Sequence, residues 1–302
     1  MQLLRCDQTV EPCPRDLSSK CEIMAYKSLL TVLTDIRNAA APLAHVTELA
    51  AAWDAHAEAL CLGVDRSQVG YYYAGANAMV VQESLTRTQT EAEEIQAHAE
   101  DVLGRSDARW SVGHGVCQLV DIARHVAYRA RFSDLVLLPK PYGDGCGVEL
   151  EAVVEAALFD SRAAVLITPP DSTPVTAPGT VLLAWNESDE AIVAARRALP
   201  LLQTAQNVRI VVVDPSPHGP ERSDPGGMLS QMLARHGVKC EIDVLSKTLP
   251  RVSDVLVRHC IDSDADLLVM GAYGRSRLRE AILGGSTRSM LEMATIPVFM
   301  AH

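Results

Sequence analysis

The feature that most limits this chain is that its pattern occurs twice. Ser133-Asp134-Leu135-Val136-Leu137-Leu138 is matched by Ala265-Asp266-Leu267-Leu268-Val269-Met270. Ala163-Ala164-Val165-Leu166-Ile167 is matched by Ile296-Pro297-Val298-Phe299-Met300. Each is a short apolar run of the kind that makes a strand covered on both faces. In both halves the second run follows the first after a helix-sized interval. A repeat of this kind calls for two copies of one supersecondary plan rather than a single large domain.

Within each copy, apolar runs alternate with helical periodicity. In the first copy, strands are expected at Lys27–Leu33, Ala57–Val64, Arg109–Val112, Leu135–Leu138 and Ala163–Ile167. Helices are expected between them at Ala39–Ala55, Asn77–Leu103, Cys117–Arg131 and Glu149–Ala157. In the second copy, strands are expected at Thr180–Trp185, Val208–Val213, Cys240–Leu245, Asp266–Met270 and Pro297–Ala301. Its helices are expected at Asp189–Leu202, Gly226–His236 and Arg251–Cys260, with helical sequence again running to Met293. Alternation of this kind implies a parallel sheet with helices on both faces. The expected class is α/β, with two tandem Rossmann-like doubly wound domains, each holding a mainly parallel five-stranded sheet. Ligands of such sheets sit beyond the carboxyl ends of the strands, where strand order reverses.

The boundaries follow from where the pattern stops. Residues 1–23 show no period and read as a disordered extension; Cys6, Cys13 and Cys21 lie there without a histidine, which is no metal site. The first domain is expected over 24–170. Four prolines between Pro169 and Pro178 mark a linker, taken as 171–178. The second domain is 179–302.

Composition narrows the function classes. Apolar residues are 48% of the 302, enough for two cores, and aromatics are only 4%, so those cores are aliphatic. A net charge of −11 repels nucleic-acid backbones and anionic membrane surfaces, so neither is expected as a partner. The eight cysteines form no CxxC, and several stand inside apolar segments, which points to a reduced, cytoplasmic protein. No apolar run reaches membrane-spanning length, and Met1 to Arg15 lacks the apolar centre of a signal peptide.

The chemistry-bearing pattern follows the strand ending at Met270. Gly271-Ala272-Tyr273-Gly274 is followed by nine residues, Arg275 to Leu283, and then by Gly284-Gly285-Ser286-Thr287 at the start of a helix. Gly271 and Gly274 allow positive φ and close approach of a ligand to the backbone. Gly284 and Gly285 leave successive amides free before a helix N-terminus, an anion site suited to a triphosphate. Ser286 and Thr287 can add hydroxyl donors, and Arg275 a charge. Read without a ligand, these glycines would simply make turns.

Gly-x₂-Gly-x₉-Gly followed by small hydroxyl residues resembles the nucleotide-binding signature of the ATP-binding universal stress proteins. The run Met270 to Glu280, Met-Gly-Ala-Tyr-Gly-Arg-Ser-Arg-Leu-Arg-Glu, is similar to tandem bacterial members. The resemblance covers roughly residues 24–302. It implies ATP, with Mg²⁺, or another adenine nucleotide as ligand. It also implies that Ala184, Asn186, Val212 and Met270 join Gly271, Gly274, Arg275, Gly284, Gly285, Ser286 and Thr287 around the site. Asn186 takes the place of the family's aspartate at the end of the first strand, and Val212 that of its adenine contact. Gly285 stands where the family has its first hydroxyl. Members of the family pair through the last strand, so the two halves of a tandem chain are expected to pair as an intramolecular pseudo-dimer, with a homodimer possible rather than required.

In the first copy Asp35 matches the family's aspartate, but Pro139 replaces the first glycine and no glycine pair opens the later helix. Glu149, Glu151 and Glu155 would face phosphates with like charge, so no triphosphate is expected there. Gly143-x-Gly145-x-Gly147 lacks the spacing of a dinucleotide loop. His114-Gly115-Val116-Cys117 reads as a turn before a helix. Asp262, Asp264 and Asp266 read as a solvated turn, because the glycine and terminal glutamate of a calcium loop are missing. Tyr71-Tyr72-Tyr73 could be a contact surface or a partly buried loop. There is no GxSxG, P-loop or HExxH, and no general base in the glycine motif. No catalytic residue is assigned, and any ATP hydrolysis should be slow. The alternative is a ligand-free interaction scaffold.

Overall fold

The computed structural model describes residues 25–66, 78–143, 145–215, 223–272 and 285–302. The expected extension 1–23 and Tyr71-Tyr72-Tyr73 lie outside them.

Ten strands form one sheet. In the first half they are β1 (Ser28–Leu33), β2 (His56–Asp65), β3 (Arg109–Gln118), β4 (Leu135–Pro139) and β5 (Ala164–Thr168). In the second they are β6 (Thr180–Trp185), β7 (Asn207–Val213), β8 (Cys240–Leu245), β9 (Leu267–Gly271) and β10 (Val298–Ala301). The order across the sheet is β3-β2-β1-β4-β5-β10-β9-β6-β7-β8. Every neighbouring pair is parallel except β5 and β10, which run antiparallel with Leu166 opposite Phe299. Read outward from that joint, the two halves have the same order. The expected α/β class with a mainly parallel sheet is therefore present, as ten strands hydrogen-bonded into one sheet.

Helices cover both faces. On one face lie α1 (Ala40–Trp53), α2 (Ala78–Leu103), α5 (Asp189–Arg197), α6 (Leu199–Thr204) and α7 (Gly227–Arg235). On the other lie α3 (Ile122–Ala130), α4 (Val148–Glu155), α8 (Val252–Asp262) and α9 (Gly285–Met293). Strand alternation feeds the two layers: Leu29 and Leu33 point to the first, Leu30 and Val32 to the second. Both clusters run through both halves. On the first face the Tyr26 hydroxyl donates to the Arg197 carbonyl. On the second, Lys140 Nζ donates to the Ala294 carbonyl at 3.2 Å.

The repeat extends to individual hydrogen bonds. Asp134 Oδ2 accepts from the backbone N–H groups of Lys27 and Ser28 at 2.7 and 2.9 Å. Asp266 Oδ2 accepts from Gly179 and Thr180 at the same two distances. The Asp134 and Asp266 amides return bonds to the Ser28 and Thr180 carbonyls. Each carboxylate thus ties the entry of the first strand of its half to the entry of the fourth. Asp266 is accordingly a strand pin, and Asp262 pairs with Arg258.

Three expectations are corrected. His114 to Cys117 are not a turn. They belong to β3, paired with Cys61 to Val64, because β2 is ten residues long and offers a matching edge throughout. The helix expected from Cys117 therefore begins at Ile122, after a 3₁₀ turn at Leu119–Asp121. The helix expected over Asp189–Leu202 breaks at Ala198. Pro200 lies in the first turn of α6, where its missing N–H costs nothing but would interrupt a continuous helix.

Asp134→Ala and Asp266→Ala should each lower stability by about 1 kcal/mol, and the double variant by roughly the sum, in urea unfolding. A cost confined to one of the two would contradict an equivalent role for the two pins.

Candidate functional site

In the second half the strand order reverses between β6 and β9. β6 pairs with β7 through Ala184–Val211 and Trp185–Val212, and with β9 through Leu183–Val269. Ala184 and Met270 each follow a paired residue, so they lie at neighbouring strand ends. Ala184 is half-buried, Val212 and Met270 are buried, and Asn186 is exposed just beyond β6. α9 packs its buried Met290 and Leu291 into the cluster that holds Met270 and Ala272. Gly285 and Ser286 open α9, and Thr287 is buried in its first turn. The chain folding thus gathers Ala184, Asn186, Val212, Met270 and Gly271 at one end of the sheet. Gly274, Arg275 and Gly284 lie outside the described residues.

Two residues are used differently from expectation. Gly271 does not have positive φ; among the described glycines only Gly143, Gly145, Gly226 and Gly237 do. Its lack of a side chain is required by α5: a Cβ there would stand 2.6 Å from Ala191 N and 2.7 Å from the Glu190 carbonyl carbon. Asn186 Oδ1 accepts from Ser188 N–H at 3.2 Å, in a turn that carries Glu187 at φ 59°. Ser188 in turn caps α5, accepting from Ala191 N–H at 3.2 Å. One lone pair of the Asn186 oxygen is thus used locally, and the NH₂ remains the side chain's donor.

Sequence reading also missed a cation near this end. Arg251 Nη1 donates to Ser289 Oγ at 2.9 Å, joining the start of α8 to α9. Its position before a helix, after a proline, carries no periodic signal.

The first turn of α9 contains no acidic residue. The first turn of α4, at the same place in the first half, contains Glu149 and Glu151. Glu149 is buried at 3% exposure and ion-pairs with Arg66. Its carboxylate folds back over Gly147, where a Cβ would collide with it. A carboxylate of this chain therefore stands at the start of that helix, held by Arg66. Asp35 is likewise taken: it accepts from Arg37 N–H and from Arg37 Nε, both at 2.9 Å, and the Arg37 guanidinium holds its carboxyl below the usual range. Glu155 lies farther along α4, and burial with Glu151 and Asp160 nearby pushes it up to about 7.

The described cysteines are free thiols. Cys61 and Cys260 are pushed up to about 12 and Cys117 to about 11, in each case chiefly by burial, so they are packing groups rather than nucleophiles. Cys240 is half-buried, and its thiol points to Ser230 Oγ at 3.5 Å. No described helix is long and apolar enough to cross a membrane.

A glycine-opened helix, free of carboxylates in its first turn, beside the reversal point of a parallel sheet leads to a specific comparison. Residues 179–302 match the universal stress protein family. Within the known universal stress proteins, one from Synechocystis is 32% identical over 91 residues, a stretch that spans 30% of this chain and 31% of that protein. A universal stress protein from Archaeoglobus fulgidus shares the fold over 90% of this chain and 97% of its own, with TM-score 0.67 at 16% identity. A functionally unknown protein from Pseudomonas aeruginosa does so over 92% of each chain, with TM-score 0.52 at 15% identity. The likeness in fold therefore extends beyond the universal stress protein domain into the first half.

Gly271→Ala should destabilise the nucleotide-free protein by about 1–3 kcal/mol in urea unfolding, because the first turn of α5 must move. Unchanged stability would show that α5 yields freely and that the glycine serves something else.

Proposed function

We propose that the chain is a nucleotide-binding stress protein whose second half, 179–302, holds an adenine nucleotide at the strand ends between β6 and β9. On this proposal the chain comprises a degenerate universal stress domain at 24–170, a linker at 171–178 and the nucleotide domain. The ligand is ATP with Mg²⁺. Phosphates lie against the amides of Gly284 and Gly285 at the start of α9, with Gly274, Arg275, Ser286 and Thr287 around them. Adenosine lies over Ala184, Val212 and Met270, with the Asn186 NH₂ as donor. The observation that carries this reading is the coincidence of the family match with a helix N-terminus that has glycines and no carboxylate in its first turn. A nucleotide held there would stabilise one state of the molecule by mass action. With no general base in the motif, hydrolysis is slow or absent.

The free buried thiols suit a reducing compartment, and we place the protein in the cytoplasm. The β5–β10 pairing supports a pseudo-dimer within one chain, so that a chain-to-chain dimer is not needed to cover those edges.

Titration calorimetry of purified, nucleotide-free protein with ATP and Mg²⁺ should give one site in the micromolar range. A Gly284→Asp, Gly285→Asp double variant, verified folded, should give none. Absence of binding by folded wild type would replace this reading with that of a ligand-free scaffold.

A further inference from the structure

The strand ends of the first half enclose a cavity of about 490 Å³ where β1 and β4 diverge. It is bounded by the residues after β1, the start of α4, Arg66 after β2, and one face of α2. Its charge is the reverse of a phosphate site. The carboxylates of Asp35, Glu91, Glu94 and Glu149 stand in its wall against two guanidinium groups, Arg37 and Arg66. Arg37 is already neutralised by Asp35. Arg66 is shared between Glu149 and Glu91, the latter at 3.7 Å. Glu94 has no ion-pair partner among the described residues.

Two buried polar atoms in the same wall lack hydrogen bonds. Glu149 Oε2 has no partner, although its residue is only 3% exposed. Thr34 Oγ1 has none, at 6% exposure. A buried acceptor without a donor costs about 1–3 kcal/mol unless a ligand or water supplies one. Apolar Ile36 and Ile95 complete the wall. Among the described residues no three His, Cys, Asp or Glu side chains converge closely enough to hold a metal ion. A wall of acceptors and carboxylates with the apolar Ile36 and Ile95 beside them suits hydrogen-bond donors on an alkyl stem.

We propose that this cavity binds a small organic cation, an alkyl ammonium or guanidinium compound, with Glu149 Oε2 and Thr34 Oγ1 accepting its hydrogen bonds and Glu94 supplying the counter-charge. The site is separate from the one assigned to nucleotide, and the two readings stand or fall independently. The probe is agmatine, which carries a guanidinium and an ammonium on a four-carbon stem. Calorimetry on the full chain should show saturable binding of one agmatine, undiminished by saturating ATP. Glu94→Gln, on the exposed face of α2, should weaken it by about threefold. Glu149→Gln should weaken it by more than about tenfold. If loss of the Arg66 partner unfolds that second variant, Glu94→Gln still decides. No saturable binding, displacement of agmatine by ATP, or an affinity unchanged in Glu94→Gln would overturn the proposal.

Discussion

The antiparallel pairing of β5 with β10 is the constraint on which the rest of the molecule depends. Val165, Leu166, Ile167, Val298, Phe299 and Met300 are all fully buried there. Left apart, each half would expose an apolar strand edge with unpaired backbone groups, which is both costly and prone to association. Joined, the two edges satisfy one another, and burying Phe299 alone contributes about 1.5–3 kcal/mol. The two apolar layers then become continuous, and secondary contacts follow. His302 Nδ1 lies 3.0 Å from the Ala272 carbonyl, while its ring packs edge-on to Phe159 of the first half. The Arg288 guanidinium stands 5.0 Å above the Tyr142 ring.

Antiparallel joining has a geometric consequence. The strands of one half run against those of the other, so their carboxyl ends lie at opposite ends of the sheet. The strand ends at which the order reverses in the two halves therefore lie a strand length apart, and each has its own electrostatics. The difference lies mainly in two helix N-termini. α9 opens on glycine without an acidic residue in its first turn, and α4 carries Glu149 over its first turn. A helix start favours negative charge wherever it comes from. One half leaves that preference open to a ligand; the other answers it with a side chain.

Much of this architecture was legible in the residues. Thr180–Trp185 is legible to the residue because a buried parallel strand is a continuous apolar run, and the edge strand Cys240–Leu245 because its apolar residues alternate with Glu241 and Asp243. Errors fell where tertiary context overrides local pattern. His114 and Cys117 looked like a turn because β3 is an edge strand, half-exposed and rich in glycine, and only its long partner β2 fixes it as extended. The break at Ala198 was announced by Pro200 but hidden by the apolar run around it. At the site, the strand-end positions of Ala184, Met270 and Gly271 follow from counting residues along strands. The use of Gly271 by α5, and of Asn186 by Ser188, depends on backbone approach between distant segments. Arg66 and Thr34 were overlooked for a related reason. Each is a single residue after a strand, and it acquires meaning only beside α4 and α2.

The second half is proposed to accept a nucleotide, while the first half holds a carboxylate at the start of the matching helix. Hydrogen–deuterium exchange with and without ATP and Mg²⁺ tests it most directly. The account predicts slowed exchange in peptides covering 184–188, 270–275 and 284–290, and unchanged exchange over 34–37 and 145–151. Protection of the first-half peptides instead, or of neither set, would contradict it.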